Sequence, residues 1–270
     1  MELDPRITTH YEQEYPESER FTKSAVGRWV LLRTWDIFER LIRPAPARVL
    51  DVGGGPGIHA EHLAAGGYEV TLIDPVEVHV EQAHQRVGFA AQVGDARELE
   101  FEDRSFDVVV MLGPLYHLLD RSHRDLALAE AFRVLRPGGE LVAETITRHS
   151  WLIDASIKGL LDQVDEREPG GPTLFDSFER TINDGLTQPP GRQGFVAYLH
   201  RPDEHRSEVV DAGFDVDALV SVESFGWMLG DLDHHLADPT NLLRAARLAE
   251  AEPSMLGAGA HLMSVSTKPA

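Results

Sequence analysis

The chain has 270 residues, 42% of them hydrophobic, which is enough for one large core or a core with an appended cap. A formal charge of −20 speaks against an electrostatic footprint for DNA or RNA, since phosphate binding needs clustered Lys and Arg. The absence of cysteine excludes a disulfide framework and a cysteine-based metal site, and no run of about eighteen apolar residues marks a membrane span. The opening Met1-Glu2-Leu3-Asp4-Pro5 lacks the basic and apolar regions of a secretory signal, so a cytoplasmic chain is expected. Residues 1–46 read as a helical cap segment. From Thr22 to Ile42, Val26, Trp29, Val30, Leu32, Ile37, Phe38 and Leu41 recur near the helical period, and Pro44 and Pro46 end the helix. Tyr11, Tyr15, Arg20 and Arg28 sit before or at its start.

Val49-Leu50-Asp51-Val52 is a short apolar strand that empties into Gly53-Gly54-Gly55-Pro56-Gly57, and a helix-like segment runs from Ile58 to Ala65. A strand, a glycine turn and a helix N-terminus together make a nucleotide-sized cradle. The spacing fails the dinucleotide fingerprint, because Ile58 and Ala60 stand where its third glycine belongs. A phosphate loop also fails, since no Gly-Lys-Ser/Thr follows. Asp51 brings a carboxylate to a place where a phosphate would be repelled.

Glu69 to Asp74 reads as a second buried strand ending in an acid, with Pro75 after it, and such an acid can accept ribose hydroxyls. Phe89 to Val93 forms a third strand before Gly94-Asp95-Ala96. A fourth, Ser105 to Leu112, leads into Gly113-Pro114-Leu115-Tyr116-His117. A helix over Ser122 to Leu135 meets a stop at Pro137-Gly138-Gly139, and a fifth strand covers Glu140 to Ile146.

Residues 47–147, in this order, resemble the class I S-adenosylmethionine-dependent methyltransferases, whose first motif is an acidic residue followed by G-x-G-x-G. Arg104 to Ile146 resembles their broad type 11 group, which acts on small metabolites, quinones and natural products. The resemblance implies an α/β fold: a doubly wound, seven-stranded, mostly parallel sheet with a Rossmann-like core and helical cap or lid insertions. It implies S-adenosyl-L-methionine as cofactor, held by Asp51, Gly53, Gly55, Gly57, Asp74, Pro75, Gly94, Asp95, Ala96, Leu112 and Gly113. In related enzymes an N-terminal segment closes over the cofactor, and an Arg or Tyr there can hold its carboxylate.

Beyond residue 147 the chain departs from the plainest version of that fold. Residues 148–200 read as a helical lid insertion, with helices at Trp151 to Val164 and Leu174 to Ile182 and Pro/Gly-rich loops at Glu168 to Pro172 and Gln188-Pro189-Pro190-Gly191. Residues 201–270 complete the core, with a helix opening at Pro202, a strand over Val216 to Val222 and a final antiparallel strand over His261 to Thr267. A second insertion at 223–260 carries Trp227 and a helix from Pro239 to Ala251. Long structured insertions are substrate lids more often than idle loops, with homodimer formation as the competing role.

Methyl transfer needs alignment of the acceptor and exclusion of water, and a general base where the acceptor carries a proton. His117, beside the expected methyl position, is the first candidate for that base, with Tyr116 shaping the acceptor pocket. Tyr11, Glu144, His149, Tyr198, His200 and Trp227 are candidate pocket residues, with Glu223 nearby. His234-His235 lacks a third ligand at useful spacing, so no metal is expected. Leu112-Gly113-Pro114-Leu115 is not the tetrapeptide of enzymes that methylate exocyclic base amines, which with the acidic balance argues against a nucleic-acid acceptor. The expected partner is a small-molecule acceptor, with no membrane. Three rivals stay open: a nicotinamide oxidoreductase, disfavoured by the glycine spacing, an RNA methyltransferase, and a cofactor-binding protein that transfers nothing.

Overall fold

The computed structural model describes residues 4–11, 17–165, 171–187 and 195–270. Tyr15, Met1 to Leu3, most of the loop at Glu168 to Pro172 and the Gln188-Pro189-Pro190-Gly191 turn lie outside the described residues. Seven strands, β1 (Arg48–Val52), β2 (Glu69–Asp74), β3 (Phe89–Val93), β4 (Phe106–Met111), β5 (Leu135–Ile146), β6 (Asp215–Ser221) and β7 (His261–Thr267), form one sheet. Their order is β3-β2-β1-β4-β5-β7-β6. Every pairing is parallel except those of β7, which runs against both β5 and β6. Strand order reverses between β1 and β4, and in such sheets the crevice beyond the strands' carboxyl ends at that point takes the ligand.

The apolar runs of β1 and β4 are continuous because helices cover both faces. On one face Leu50, Val52, Val109, Met111 and Leu141 pack with Ala127, Leu128 and Ala131 of α6 (Arg121–Val134) and Val209 of α9 (Pro202–Asp211). On the other, Val49, Val70, Val108, Val110 and Val142 meet Ile37 and Phe38 of α2 (Ala25–Leu41) and Leu63 of α3 (Ile58–Ala65). Alternate residues of one strand thus feed two cores, as a period of two requires. Each fully buried Val or Leu among them contributes about 1.5–3 kcal/mol by the usual transfer scale.

Element boundaries differ from the sequence pattern where local chemistry overrides it. Ser24 caps α2 by accepting from the Gly27 amide at 2.9 Å, so that helix starts at Ala25 rather than Thr22. The α6 helix stops before Pro137-Gly138-Gly139: Lys268 Nζ takes the carbonyls of Phe132 and Leu135 at 2.6 and 2.7 Å, and Leu135 already pairs with Phe106 in the sheet. The fifth strand accordingly begins at Leu135 instead of Glu140. In the first insertion α7 (Ser150–Lys158) ends at Gly159, short of Val164, and is followed by α8 (Leu174–Asp184).

Short helices α4 (Glu77–Ala83) and α5 (Pro114–His117) have no counterpart in the sequence pattern, whereas α1 (Pro5–Thr9) lies in the segment read as helical. The second insertion folds as α10 (Leu232–Ala237) and α11 (Thr240–Ala249), whose Leu232, Leu242 and Ala246 pack with Trp227 onto Trp29 of α2. The first insertion reaches the sheet's carboxyl end instead, where Ala197 and Leu199 pack against Tyr116 and Ile146. Among the described residues no helix is long and apolar enough to cross a membrane.

Candidate functional site

An open cleft lies over the carboxyl ends of β1, β2, β4 and β5, roofed by the N-terminal segment. Its floor is the glycine turn. The Gly53 amide donates to the Ile73 carbonyl at 2.8 Å, which seats the turn on β2. Gly53 holds φ +70°, and a Cβ there would stand 2.9 Å from Pro114 Cγ, so a side chain would push the turn off the exit of β4. Gly57, at φ +84°, starts α3 pressed on Phe89, 2.5 Å from where a Cβ would be. Gly53 and Gly55 line the cleft, whereas Gly57 serves helix–strand packing and does not reach it.

Asp74 organises the cradle from β2. One oxygen accepts the Gly55 amide at 2.9 Å; the other accepts the Val76 amide at 2.9 Å and His79 Nδ1–H at 3.1 Å. Pro75 lines the cleft beside it. Asp51, at the end of β1, is 1% exposed, and its Oδ2 meets no hydrogen-bond partner among the described residues. Burial, with the charge of Asp74 adding to it, pushes the Asp51 carboxyl up to about 7. A buried, unsatisfied carboxylate is costly unless a cation comes to it.

Beyond β3, Asp95 and Ala96 line the cleft while Gly94 faces Ile73 and a separate surface groove. Arg97 grips Asp95 through its side chain and its backbone amide, and these bonds outweigh burial to hold the Asp95 carboxyl below its ordinary value. At the end of β4, Leu112 and Gly113 form the next part of the wall.

Tyr116 and His117 follow on α5. His117 Nδ1–H donates to the Val196 carbonyl at 3.3 Å, which leaves Nε2 to accept the Tyr11 hydroxyl at 2.7 Å. Burial pushes the His117 pKa down to about 3, so the ring stays neutral, with its basic lone pair spent on Tyr11. Burial likewise raises the Tyr11 and Tyr116 phenols. Tyr11 and Phe195 meet the His117 ring edge-on, Tyr116 packs on it at a tilt, and His79 meets Tyr11 edge-on, making an aromatic wall.

Opposite that wall, Glu144 of β5 lines the cleft at 3% exposure. Burial raises its carboxyl to about 7, against the opposing charges of His261 and Arg20. Arg20 pairs with Glu17 at 3.3 Å and donates to His261 Nε2 at 3.2 Å. His261 in turn donates its Nδ1–H and its backbone amide to the buried Glu223. Burial disfavours charge on His261, yet the carboxylates of Glu223 and Glu144 prevail and raise its pKa.

Of the pocket residues expected from sequence, Tyr11 and Glu144 line the cleft and four do not. His149 is exposed beside α7. Tyr198 lies between Arg124, 4.0 Å from the ring centre, and Arg148, at 5.3 Å. His200 is buried between Thr145 and Glu208. Trp227 donates to the Ala258 carbonyl at 3.0 Å within the packing of the second insertion. Arg28 is exposed and pairs with Asp233. His79, Phe21 and Ile7 line the cleft without any sequence signal, coming from a helix turn and the N-terminal segment, and His261 of the distant β7 stands behind Arg20. Among the described residues no group of three His, Cys, Asp or Glu converges as a metal would need, and His234 and His235 lie exposed on α10.

Residues 49–139 match a family described as "Methyltransferase domain". The 27-O-demethylrifamycin SV methyltransferase of Amycolatopsis mediterranei is 43% identical over 191 residues, covering 66% of each chain. The tRNA U34 carboxymethyltransferase of Methylococcus capsulatus is 42% identical over 120 residues, 42% of this chain and 36% of that one. The chain therefore spans less than two thirds of the length of these curated relatives. Among solved structures, a SAM-dependent methyltransferase of Thermotoga maritima, described as a possible histamine N-methyltransferase, superposes with a TM-score of 0.59 at 22% identity. That match covers 97% of this chain and 99% of the other, and it is a likeness of fold.

Proposed function

The chain belongs to the S-adenosylmethionine-dependent methyltransferases, and from that premise we propose that it methylates a small-molecule acceptor. One observation carries the cofactor assignment: the cradle presents a buried carboxylate, Asp51, with an unsatisfied oxygen, and its neighbouring acid Asp74 already takes the Gly55 amide. A pyrophosphate in this position would face two carboxylates. A cation without phosphate would relieve one of them.

When bound, S-adenosylmethionine supplies an electrophilic methyl group on a positively charged sulfur. The chain's own residues bind, orient and dry the site. Asp51 attracts positive charge, and Asp74 is the acid placed to receive ribose hydroxyls beside Pro75. Asp95 and Ala96 are placed for the adenine, Gly53 and Gly55 let the backbone approach closely, and Leu112 and Gly113 close the edge toward β4. The wall of Tyr11, Tyr116 and His117 excludes water and fixes the acceptor, and His117, neutral and doubly bonded, acts by positioning.

A small acceptor is favoured by the position of the cleft under the N-terminal segment and by the net charge of −20. The similarity to a tRNA-modifying enzyme gives the nucleic-acid reading its support. Against it, Arg20 and Arg86 at the cleft are already paired with Glu17 and Glu61, leaving little for a phosphate backbone. Incubation with isotopically labelled S-adenosylmethionine and either metabolite extract or bulk tRNA separates the readings. Label in low-mass products supports the proposal, label in tRNA rejects it, and cofactor binding without label in either marks a protein that transfers nothing.

A further inference from the structure

We propose that Glu144 is the base that takes the acceptor's proton, and that the acceptor is a neutral hydroxyl compound, a phenol or an enol. This rests on the methyl-transfer reading above. Four acids lie buried at this end of the sheet with different commitments, and Asp51 belongs to the cofactor cradle. Asp74 accepts from Gly55, Val76 and His79 and belongs to the cofactor cradle, and Glu223 spends its oxygens on His261. Glu144 faces the cleft and makes no side-chain hydrogen bond among the described residues. It also stands on β5, one strand beyond β4 and two from the cradle of β1, where a second ligand has room.

The groups facing Glu144 are Arg20, His261, Glu223 and Tyr116. Arg20 is fixed by Glu17 and by His261, which Glu223 orients. A guanidinium held there repels an ammonium ion but stabilises charge growing on an oxygen. Phe21, Leu118 and Ile7 supply the apolar face for the rest of such a ligand. A carboxyl raised to about 7 is ionised in half its molecules at neutral pH and still holds a proton well, as a general base should. In the step, the acceptor's O–H bond breaks and its proton passes to the Glu144 carboxylate. The oxygen's electron pair forms the bond to the methyl carbon as the carbon–sulfur bond breaks, its pair staying on sulfur. Glu144 then gives the proton to solvent.

The test uses 4-nitrophenol, which is coloured only when ionised, bound to the full chain with S-adenosylhomocysteine. A carboxylate touching the hydroxyl disfavours the phenolate, so Glu144→Gln is expected to lower the bound probe's apparent pKa by about one unit. With S-adenosylmethionine and a mixed panel of phenols, enols and amines, Glu144→Gln is expected to cut hydroxyl methylation by about 100-fold or more. Glu144→Asp, which keeps the charge, should retain part of the activity, and calorimetric affinity for S-adenosylhomocysteine should not change. An unchanged probe pKa, no probe binding, or methylation of amines alone overturns the proposal. Failure of the wild type to bind S-adenosylhomocysteine instead overturns the cofactor reading, and this inference with it.

Discussion

The hydroxyl of Tyr11 donates to Nε2 of His117 at 2.7 Å, tying the N-terminal segment to the wall at the end of β4 across 106 residues of sequence. The bond gives a neutral buried imidazole its second partner and makes the roof of the cleft part of its wall. Tyr11→Phe removes the donor and leaves Nε2 unsatisfied, at a cost of about 1–3 kcal/mol for a buried polar group. Hydrogen exchange should accelerate across residues 4–11 while the central strands stay protected. Unchanged exchange there would mean the segment is held by apolar contacts such as Ile7 alone.

Asp51 predicts opposite effects on stability and binding. The free protein bears the cost of a buried carboxylate, so Asp51→Asn should raise the thermal midpoint measured above pH 7. The same change removes the attraction for a cationic ligand and should weaken S-adenosylmethionine binding by about tenfold or more, the usual worth of a charged hydrogen bond. Calorimetry and a melting curve on one sample check both signs.

Asp74→Ala takes away the acceptor of the Gly55 and Val76 amides, which should loosen the glycine turn. Cofactor affinity is expected to fall at least about tenfold, consistent with losing about 1–3 kcal/mol of buried polar bonding, without global unfolding. A dissociation constant equal to that of the wild type would rule out its role at the ribose.

What can be read from the sequence depends on the range of the signal. The cradle is readable because Asp51, Gly53, Gly55 and Asp74 occupy strand ends, and strand ends are marked by where apolar runs stop. Their distances along the chain also survive folding as register, with Val52 opposite Ile73. The side at Glu144 is readable only in part: Glu144 itself can be named from its strand, but the network of Arg20, Glu223 and His261 around it joins segments up to 241 residues apart. By residue type, Tyr198, His200 and Trp227 suit a pocket equally well. They lie instead in packed networks with Arg124, Glu208 and Ala258, an outcome set by tertiary packing.

Stability should respond to pH with a definite shape. Burial pushes His59, His117 and His205 down to about 3, so the unfolded chain binds their protons near 6.5 while the folded chain refuses them. Their contribution is whole above pH 6.5 and is lost as pH falls toward 3. Asp51 and Glu144, raised by burial to about 7, act in reverse: the fold gains from them at low pH and loses that gain as pH rises from about 4 to 7. Between pH 6.5 and 4 the effects partly cancel. Below pH 4 the acids no longer compensate, and Glu208, lowered to about 2 by His200 and Arg124 against its burial, adds to the loss. Calorimetric midpoints should therefore decline gently to pH 4 and steeply beneath it, whereas a flat curve between pH 4 and 3 would contradict this assignment.

The cleft at the β1–β4 switch is shaped for a cationic adenosine compound without phosphate, and titration calorimetry of S-adenosylmethionine against NAD tests that most directly. Saturable binding of S-adenosylmethionine, weakened by Asp51→Asn, with no heat from NAD at the same concentration, is the predicted result. Tighter binding of NAD, or equal binding of both, would contradict it.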